Sequence, residues 1–362
     1  WKIKERGNAD DALRLAKELN AGTVVANLLL QRGVKTFDDA RKFFRPALSD
    51  LHDPFLMKDM DKAIARIEKA IQHGEKILVY GDYDVDGTTA VALTYTFLKK
   101  IYDNIDFYIP DRYKEGYGIS IAGIDFAKQN EFSLIIALDC GIKAVEKIAY
   151  ANENRIDFII CDHHKPGEKI PDAAAVLNPK RNDCLYPFKE LSGCGIGFKL
   201  IQAYAQQNKI PFSELEKYLD LAVVSIAADI VPITGENRVL AYFGLKQINS
   251  SPRQGLKTLL ELNDIKKELT ITDLVFIISP RINAAGRIDS GRKAVELLIS
   301  EDVDTAKGWG ILINKNNIDR KDIDKLMTLQ ALEMVAQDKI SEHKRTTVLF
   351  HPEWHKGVVG IV

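Results

Sequence analysis

Apolar and polar positions along this chain follow two different rhythms. Up to residue 72 the period is helical. Ala12–Leu19, Val24–Leu30 and Phe37–Phe44 are separated by Gly22 and Gly33, and a linker-like turn from Leu48 to Phe55 leads to Asp61–Ile71, with Ala63, Ile64, Ile67 and Ile71 on one face. From Lys76 onward short apolar runs alternate with helical stretches. The runs are Ile77–Tyr80, Ile105–Ile109, Leu134–Leu138, Asp157–Ile160 and Leu221–Ile226. This alternation predicts an α/β fold, a doubly wound and mainly parallel sheet over residues 73–300, behind a helical cap at 1–72. Residues 301–345 read as one long connecting helix, with Gly308 and Gly310 the expected interruptions, and Thr347–Phe350 as the first strand of a second α/β domain begun at 346–362. Trp1 in the first position implies preceding residues.

Composition narrows this picture only slightly. A chain of 362 residues, 46% of them hydrophobic, can bury a large core in two or three domains. A net charge of −1 and a pI near 6.7 advertise no basic field, although a near-neutral total can conceal a basic groove. The four cysteines, Cys140, Cys161, Cys184 and Cys194, form no Cys-x-x-Cys pair and read as reduced, buried thiols. No apolar run approaches the ~20 residues that span a bilayer, and no signal peptide is visible, so no membrane partner is expected and the cytoplasm is the default location.

Charge becomes informative where the apolar runs end. Ile77–Tyr80 gives way to Gly81-Asp82-Tyr83-Asp84-Val85-Asp86-Gly87, and alternate residues of an extended chain share a face, so Asp82, Asp84 and Asp86 crowd together. Crowded carboxylates need a hard cation. An EF-hand loop fits the opening of this stretch but fails at its twelfth position, which is Leu93 and not Glu. Further runs end on Asp139, on Asp162-His163-His164 and on Asp229. One acidic ending is commonly a helix cap; several on parallel strands would converge on one edge. The set has histidine but no thiolate, which suits two Mn2+ or Mg2+ ions and phosphoester hydrolysis, with zinc disfavoured. Leu191–Lys199 is glycine-rich without Walker spacing, and is either a tight turn or a phosphate-approaching loop. Ser279–Arg287 reads as a small-residue loop whose Arg281, Asn283 and Arg287 suit phosphate, or else as solvated surface. His52 reads as a solvated turn histidine.

Asp84-Val-Asp86-Gly, Asp139, Asp162-His163-His164 and Asp229 resemble the motifs of the DHH phosphoesterase superfamily. The Leu48–Phe55 linker, Ile109–Gly118, the glycine-rich stretch, the arginine run and Trp354–Val362 are similar to its RecJ-type single-strand exonuclease family. The resemblance implies a metal-dependent exonuclease that degrades single-stranded DNA from the 5′ end to 5′-mononucleotides in repair and recombination. It implies Asp82, Asp84, Asp86, Asp139, His163 and Asp229 as metal ligands, with Asp139 bridging and Asp82 partly indirect. Asp162 would orient a histidine, and His164 would contact the scissile phosphate or move a proton. Arg112, Arg281, Asn283 and Arg287 would contact the strand, Arg112 at its terminal phosphate; the competing expectation pairs Arg112 with Glu115 or Asp111. A monomer is expected, with a single-strand binding protein and a helicase as partners. Two departures are a less acidic ending at Ile288-Asp289-Ser290 and a second domain that has only begun. The alternative function is a phosphodiesterase for short oligonucleotides or cyclic dinucleotides. A non-catalytic scaffold is disfavoured, because every acid is present.

Overall fold

The computed structural model describes residues 4–5, 7–337 and 345–361. Trp1, Val362 and the 338–344 part of the expected connecting helix lie outside the described residues. Three short helices, α1 (Ala9–Leu19), α2 (Thr23–Leu30) and α3 (Phe37–Phe44), close a small core of their own around Leu15, Ala26 and Leu29. A further helix, α4 (Met60–Gln72), packs its Ala63, Ile64 and Ile67 face into the main core.

The central sheet is built from β1 (Lys76–Gly81), β2 (Ile105–Tyr108), β3 (Phe132–Leu138), β4 (Asp157–Cys161) and β5 (Ala175–Leu177), in the order β2-β1-β3-β4-β5. All four pairings are parallel. The strands read as nearly continuous apolar runs because both faces are covered. Ile77, Val79, Leu134 and Ile136 point to one face, where α5 (Val85–Lys99) packs; Leu78, Tyr80, Ile135 and Ala137 point to the other, beneath α6 (Ile121–Gln129) and α7 (Val145–Glu153). Chain order reverses direction between β1 and β3. In open parallel sheets ligands bind outside the carboxyl ends of the strands at that switch point.

After the sheet come α8 (Gly193–Gln207), α9 (Ser213–Glu216), α10 (Leu219–Ala228), α11 (Gly235–Ser250), α12 (Gln254–Leu262), α13 (Ile271–Asp273), α14 (Ser279–Ile288), α15 (Gly291–Ile299) and α16 (Val303–Gln337). Six expectations are corrected here. Leu221–Ile226 is not a strand but the middle of α10, nine of whose ten residues are buried; a helix buried on all sides loses the amphipathic period that would reveal it. The glycine-rich stretch is no loop either, because Ser192 caps α8 by accepting the Gly195 N–H and the glycines form its first turns. The arginine run is helical, and a π turn over Leu274–Ile278 joins α13 to α14. Gly308 and Gly310 do not interrupt α16, whose 35 residues extend about 52 Å; a Cβ at Gly310 would stand 2.8 Å from Thr258, so glycine lets α16 close on α12. Thr347–Phe350 forms no strand among the described residues, with Val348 and Phe350 exposed. His52 is half-buried, its ring edge-on to Tyr186, while its backbone N–H donates to Glu236 and its carbonyl accepts from Lys199, a fully buried pair that ties the N-terminal helices to α8 and α11.

Candidate active site

At the carboxyl end of the sheet the chain leaves β1 and turns at once into α5, so Asp82, Asp84 and Asp86 are gathered by a turn and not by strand alternation. Asp84 is the N-cap of α5 and accepts the Gly87 N–H at 2.9 Å. A Cβ at Gly87 would lie 2.5 Å from the Asp82 carbonyl oxygen, so the turn closes only on glycine. Asp139 and Asp162 directly follow β3 and β4, each continuing the ladder by one hydrogen bond, to the carbonyls of Cys161 and Leu177. Asp139 holds φ at +60°, a left-handed conformation that an aspartate tolerates better than most side chains. Asp229 arrives from the C-terminal end of α10.

The side chains converge around His163. Its Nε2 lies 3.2 Å from Asp139, 3.6 Å from Asp229 and 3.8 Å from Asp86. Two overlapping groups have ligating atoms close enough to share an ion: Asp139, His163 and His164, and Asp86, His163 and Asp229. Asp84 touches Asp139. Asp82 stands outside both groups, since its two oxygens accept the N–H groups of Tyr83 and Gly118. The residues present fit a divalent cation. The Asp139 Oδ1 and both ring nitrogens of His163 are buried with no hydrogen-bond partner, and buried polar atoms without partners are costly unless something else satisfies them.

Electrostatics lead to the same conclusion. Burial, then the neighbouring Asp84, pushes Asp82 up to about 7, and burial with Asp86 pushes Asp229 to about 7. Asp84 and, more strongly, Asp139 are raised by burial and then by Asp86. Burial holds His163 below the usual histidine range, in the neutral form that can ligate. His164 is raised by its 2.7 Å hydrogen bond to Asp162. Burial alone would raise Asp162, yet bonds from His164 and from the Ile142 N–H keep it low.

Several contributors escaped the sequence reading. The first N–H groups of α8, on Gly193 and Cys194, both donate to Asp86 at 2.7 Å, and Ser225 adds a third bond of the same length. The glycine-rich stretch therefore positions a carboxylate and not a phosphate. Its Gly193 is needed where it stands, since a Cβ would sit 2.6 Å from that of Asp139. The cap signal Ser-x-x-Gly was visible, but not its target.

The arginines divide. Arg281 is spent on Asn263, Asn314 and the Ile277 carbonyl, and Asn283 is half-buried two residues further along α14. Arg112 lies over the Tyr83 ring at 4.9 Å and pairs with no carboxylate among the described residues; Glu115 is occupied by Tyr108, Ser120 and the Asp111 N–H. Arg287 is depressed by burial and by the adjacent charges of Arg112 and Arg320. Arg112 and Arg320 thus lie near enough to Arg287 for their charges to oppose its own, with Asp84 partly offsetting them, and Arg320 has Asp324 at 3.8 Å. Arg320 lies on α16 and was not anticipated; its Nε is buried without a partner. Beyond His164 a cleft of about 500 Å³ opens between Tyr117, the Cys140–Lys147 turn and the start of α7.

Residues 76–226 match the N-terminal domain of the DHH family. Over its whole length the chain is 42% identical to the single-stranded-DNA-specific exonuclease RecJ of Bacillus subtilis, of which it covers 45%. It is 33% identical over 99% of its length to the Salmonella typhimurium protein of that name, of which it covers 63%. The chain thus spans about half to two thirds of these relatives. Among solved structures it is similar to an exonuclease RecJ bound to manganese (TM-score 0.77, 31% identity, 87% of this chain and 77% of that one). It is also similar to RecJ from Thermus thermophilus in complex with Mn2+ (TM-score 0.83, 28% identity, 100% and 51%).

Proposed function

Because this chain belongs to the DHH family and, within it, to the RecJ exonucleases, we propose that it hydrolyses phosphodiester bonds of single-stranded DNA from the 5′ end, releasing 5′-mononucleotides. The observation that carries this reading is the pair of overlapping carboxylate–histidine groups whose Asp139 oxygen and His163 nitrogens are buried without partners. Asp86, Asp139, His163 and Asp229 would hold Mn2+ or Mg2+, with Asp84 beside them and Asp82 bracing the turn. Bound there, a pair of such ions supplies a water of lowered pKa and neutralises charge on the phosphate.

The protein's own groups do the rest. His164, oriented by Asp162 and made more basic by it, would present its ring toward the scissile phosphate or the leaving oxygen to hold or pass a proton. Arg112, Arg287 and Arg320 match a terminal phosphate, whose two negative charges would relieve their mutual repulsion. We extend the proposal to a role in repair and recombination, acting in the cytoplasm as a monomer beside a single-strand binding protein and a helicase, on the support of the same membership. No described helix is long and apolar enough to cross a membrane.

The test incubates end-labelled single strands of both polarities, as DNA and as RNA, with this chain in manganese. Release of 5′-mononucleotides from DNA 5′ ends is expected. Cleavage confined to dinucleotides or cyclic dinucleotides would favour the phosphodiesterase alternative instead.

A further inference from the structure

At the opposite end of α5 from Asp84, about 22 Å away along a 15-residue helix, a second cavity of about 340 Å³ opens. Its walls come from the end of α5, the α9–α10 junction, the start of α12 and the end of α15, and they carry Thr96, Lys100, Lys217, Tyr218, Arg253 and Ser300. We propose that this cavity binds the phosphate of a nucleoside monophosphate, the class of product that the reaction proposed above would release.

Three features support the assignment. First, the ammonium groups of Lys100 and Lys217 both gather over the Tyr218 ring, 6.0 and 5.6 Å from its centroid, a crowding of like charge that costs energy unless an anion lies nearby. Lys217 has Glu214 at 3.0 Å, but Lys100 pairs with no carboxylate among the described residues. Burial, then Lys217, depresses the Lys100 ammonium. Second, the Tyr218 hydroxyl is buried without a hydrogen-bond partner, in a residue only 3% exposed. Its neighbour Thr96, whose hydroxyl donates to the Ala92 carbonyl, is the nearby acceptor, and both residues line the cavity, so an anion there would meet the Tyr218 O–H. Third, Arg253 spends its Nε on buried Asp220 and its Nη1 on the Leu298 carbonyl; its Nη2 has no protein partner among the described residues. Arg253 also starts α12, which no side chain caps.

Acidic groups at the rim are few. Glu301 lines the cavity, while Glu214 and Asp220 are already matched by Lys217 and Arg253. The volume falls at the small end of the range for drug-sized ligands, about 300–1,000 Å³, and suits one nucleotide better than a strand. Leu298 and Ile299 offer apolar surface for a sugar or base.

The experiment titrates this chain, held in chelator so that the acidic site repels phosphate, with thymidine 5′-monophosphate by calorimetry. Thymidine, inorganic phosphate and a 5′-phosphorylated dodecanucleotide are the comparison ligands. Saturable binding of the monophosphate and none of thymidine is expected. Lys100→Gln with Lys217→Gln should weaken binding about tenfold or more, and Tyr218→Phe by several-fold, with circular dichroism showing both variants folded. No saturable binding in chelator, binding indifferent to the lysine pair, or binding of the dodecanucleotide alone would overturn the proposal. None of these measurements requires turnover, so its failure is distinguishable from failure of the exonuclease reading, which affects only the choice of nucleotide.

Discussion

Asp139 combines two demands that separate substitutions can isolate. Its carboxylate lies among Asp84, Asp86 and His163, and its backbone holds the left-handed conformation. Asp139→Asn keeps a residue suited to that φ and removes a charge that burial and its neighbours oppose. We expect hydrolysis in manganese to fall by at least about a thousandfold while the metal-free protein unfolds at an equal or higher temperature; near-normal turnover would remove Asp139 from the chemistry. Arg112 is a second case, since Glu115 and Asp111 are engaged elsewhere and it lies over Tyr83. Arg112→Ala should erase about a tenfold to hundredfold preference for 5′-phosphorylated over 5′-hydroxyl strands, the worth of a charge-assisted fork, and leave metal-dependent cleavage in place. An unchanged ratio between the two substrates would return Arg112 to the surface. The acids themselves could be picked out of the sequence because apolar runs end on them. Arg320 could not, because on a polar helix an arginine that turns inward looks like every other arginine.

Among the elements, those that read clearly had a visible period or visible ends: β1 to β4 of the sheet, though not the three-residue β5, and α3, whose capping box on Thr36 and Asp39 is intact. Those misread were helices with unhelical composition. Both α8 and α14 carry glycines inside, and in each one glycine, Gly193 against Asp139 and Gly286 against Tyr83, serves close approach to the acidic site and not flexibility. In α14, a Cβ at Gly286 would lie 2.5 Å from the Tyr83 carbonyl oxygen, between Asp82 and Asp84. Gly286→Ala, ordinarily favourable in a helix, should here cost about 1–3 kcal/mol of stability and displace the turn. Denaturant unfolding paired with a manganese titration checks this: a stabilised variant with unchanged metal affinity would mean that α14 does not brace the site.

For the whole molecule, crowded carboxylates make metal-free stability depend on pH with a definite sign. Asp82 rises from an ordinary value near 3.8 to about 7 in the folded chain, and Asp229 does likewise. Between those limits the folded state holds more protons than the unfolded one, so stability is greatest below pH 4 on this account and declines as pH rises toward 7. Asp82, buried, contributes more than the partly exposed Asp229. Melting in chelator should therefore fall across pH 5 to 7 by an amount that added manganese largely restores; a melting temperature that rises over this window in chelator would contradict the assignment.

The sheet order carries one more consequence. Its two outer strands are its shortest, β2 with four residues and β5 with three, and the long apolar strands β1, β3 and β4 lie between them. An outer strand is where one molecule can zip onto another, and so few unpaired backbone groups give a poor template. The sticky segments, Ile77–Tyr80, Leu134–Leu138 and Phe158–Cys161, become available only when the middle of the sheet opens. Clumping on heating should then follow global melting and not precede it. Light scattering recorded beside near-ultraviolet dichroism tests the order of events, and turbidity that appears while the dichroism is still native would place the weak point at the sheet margin after all.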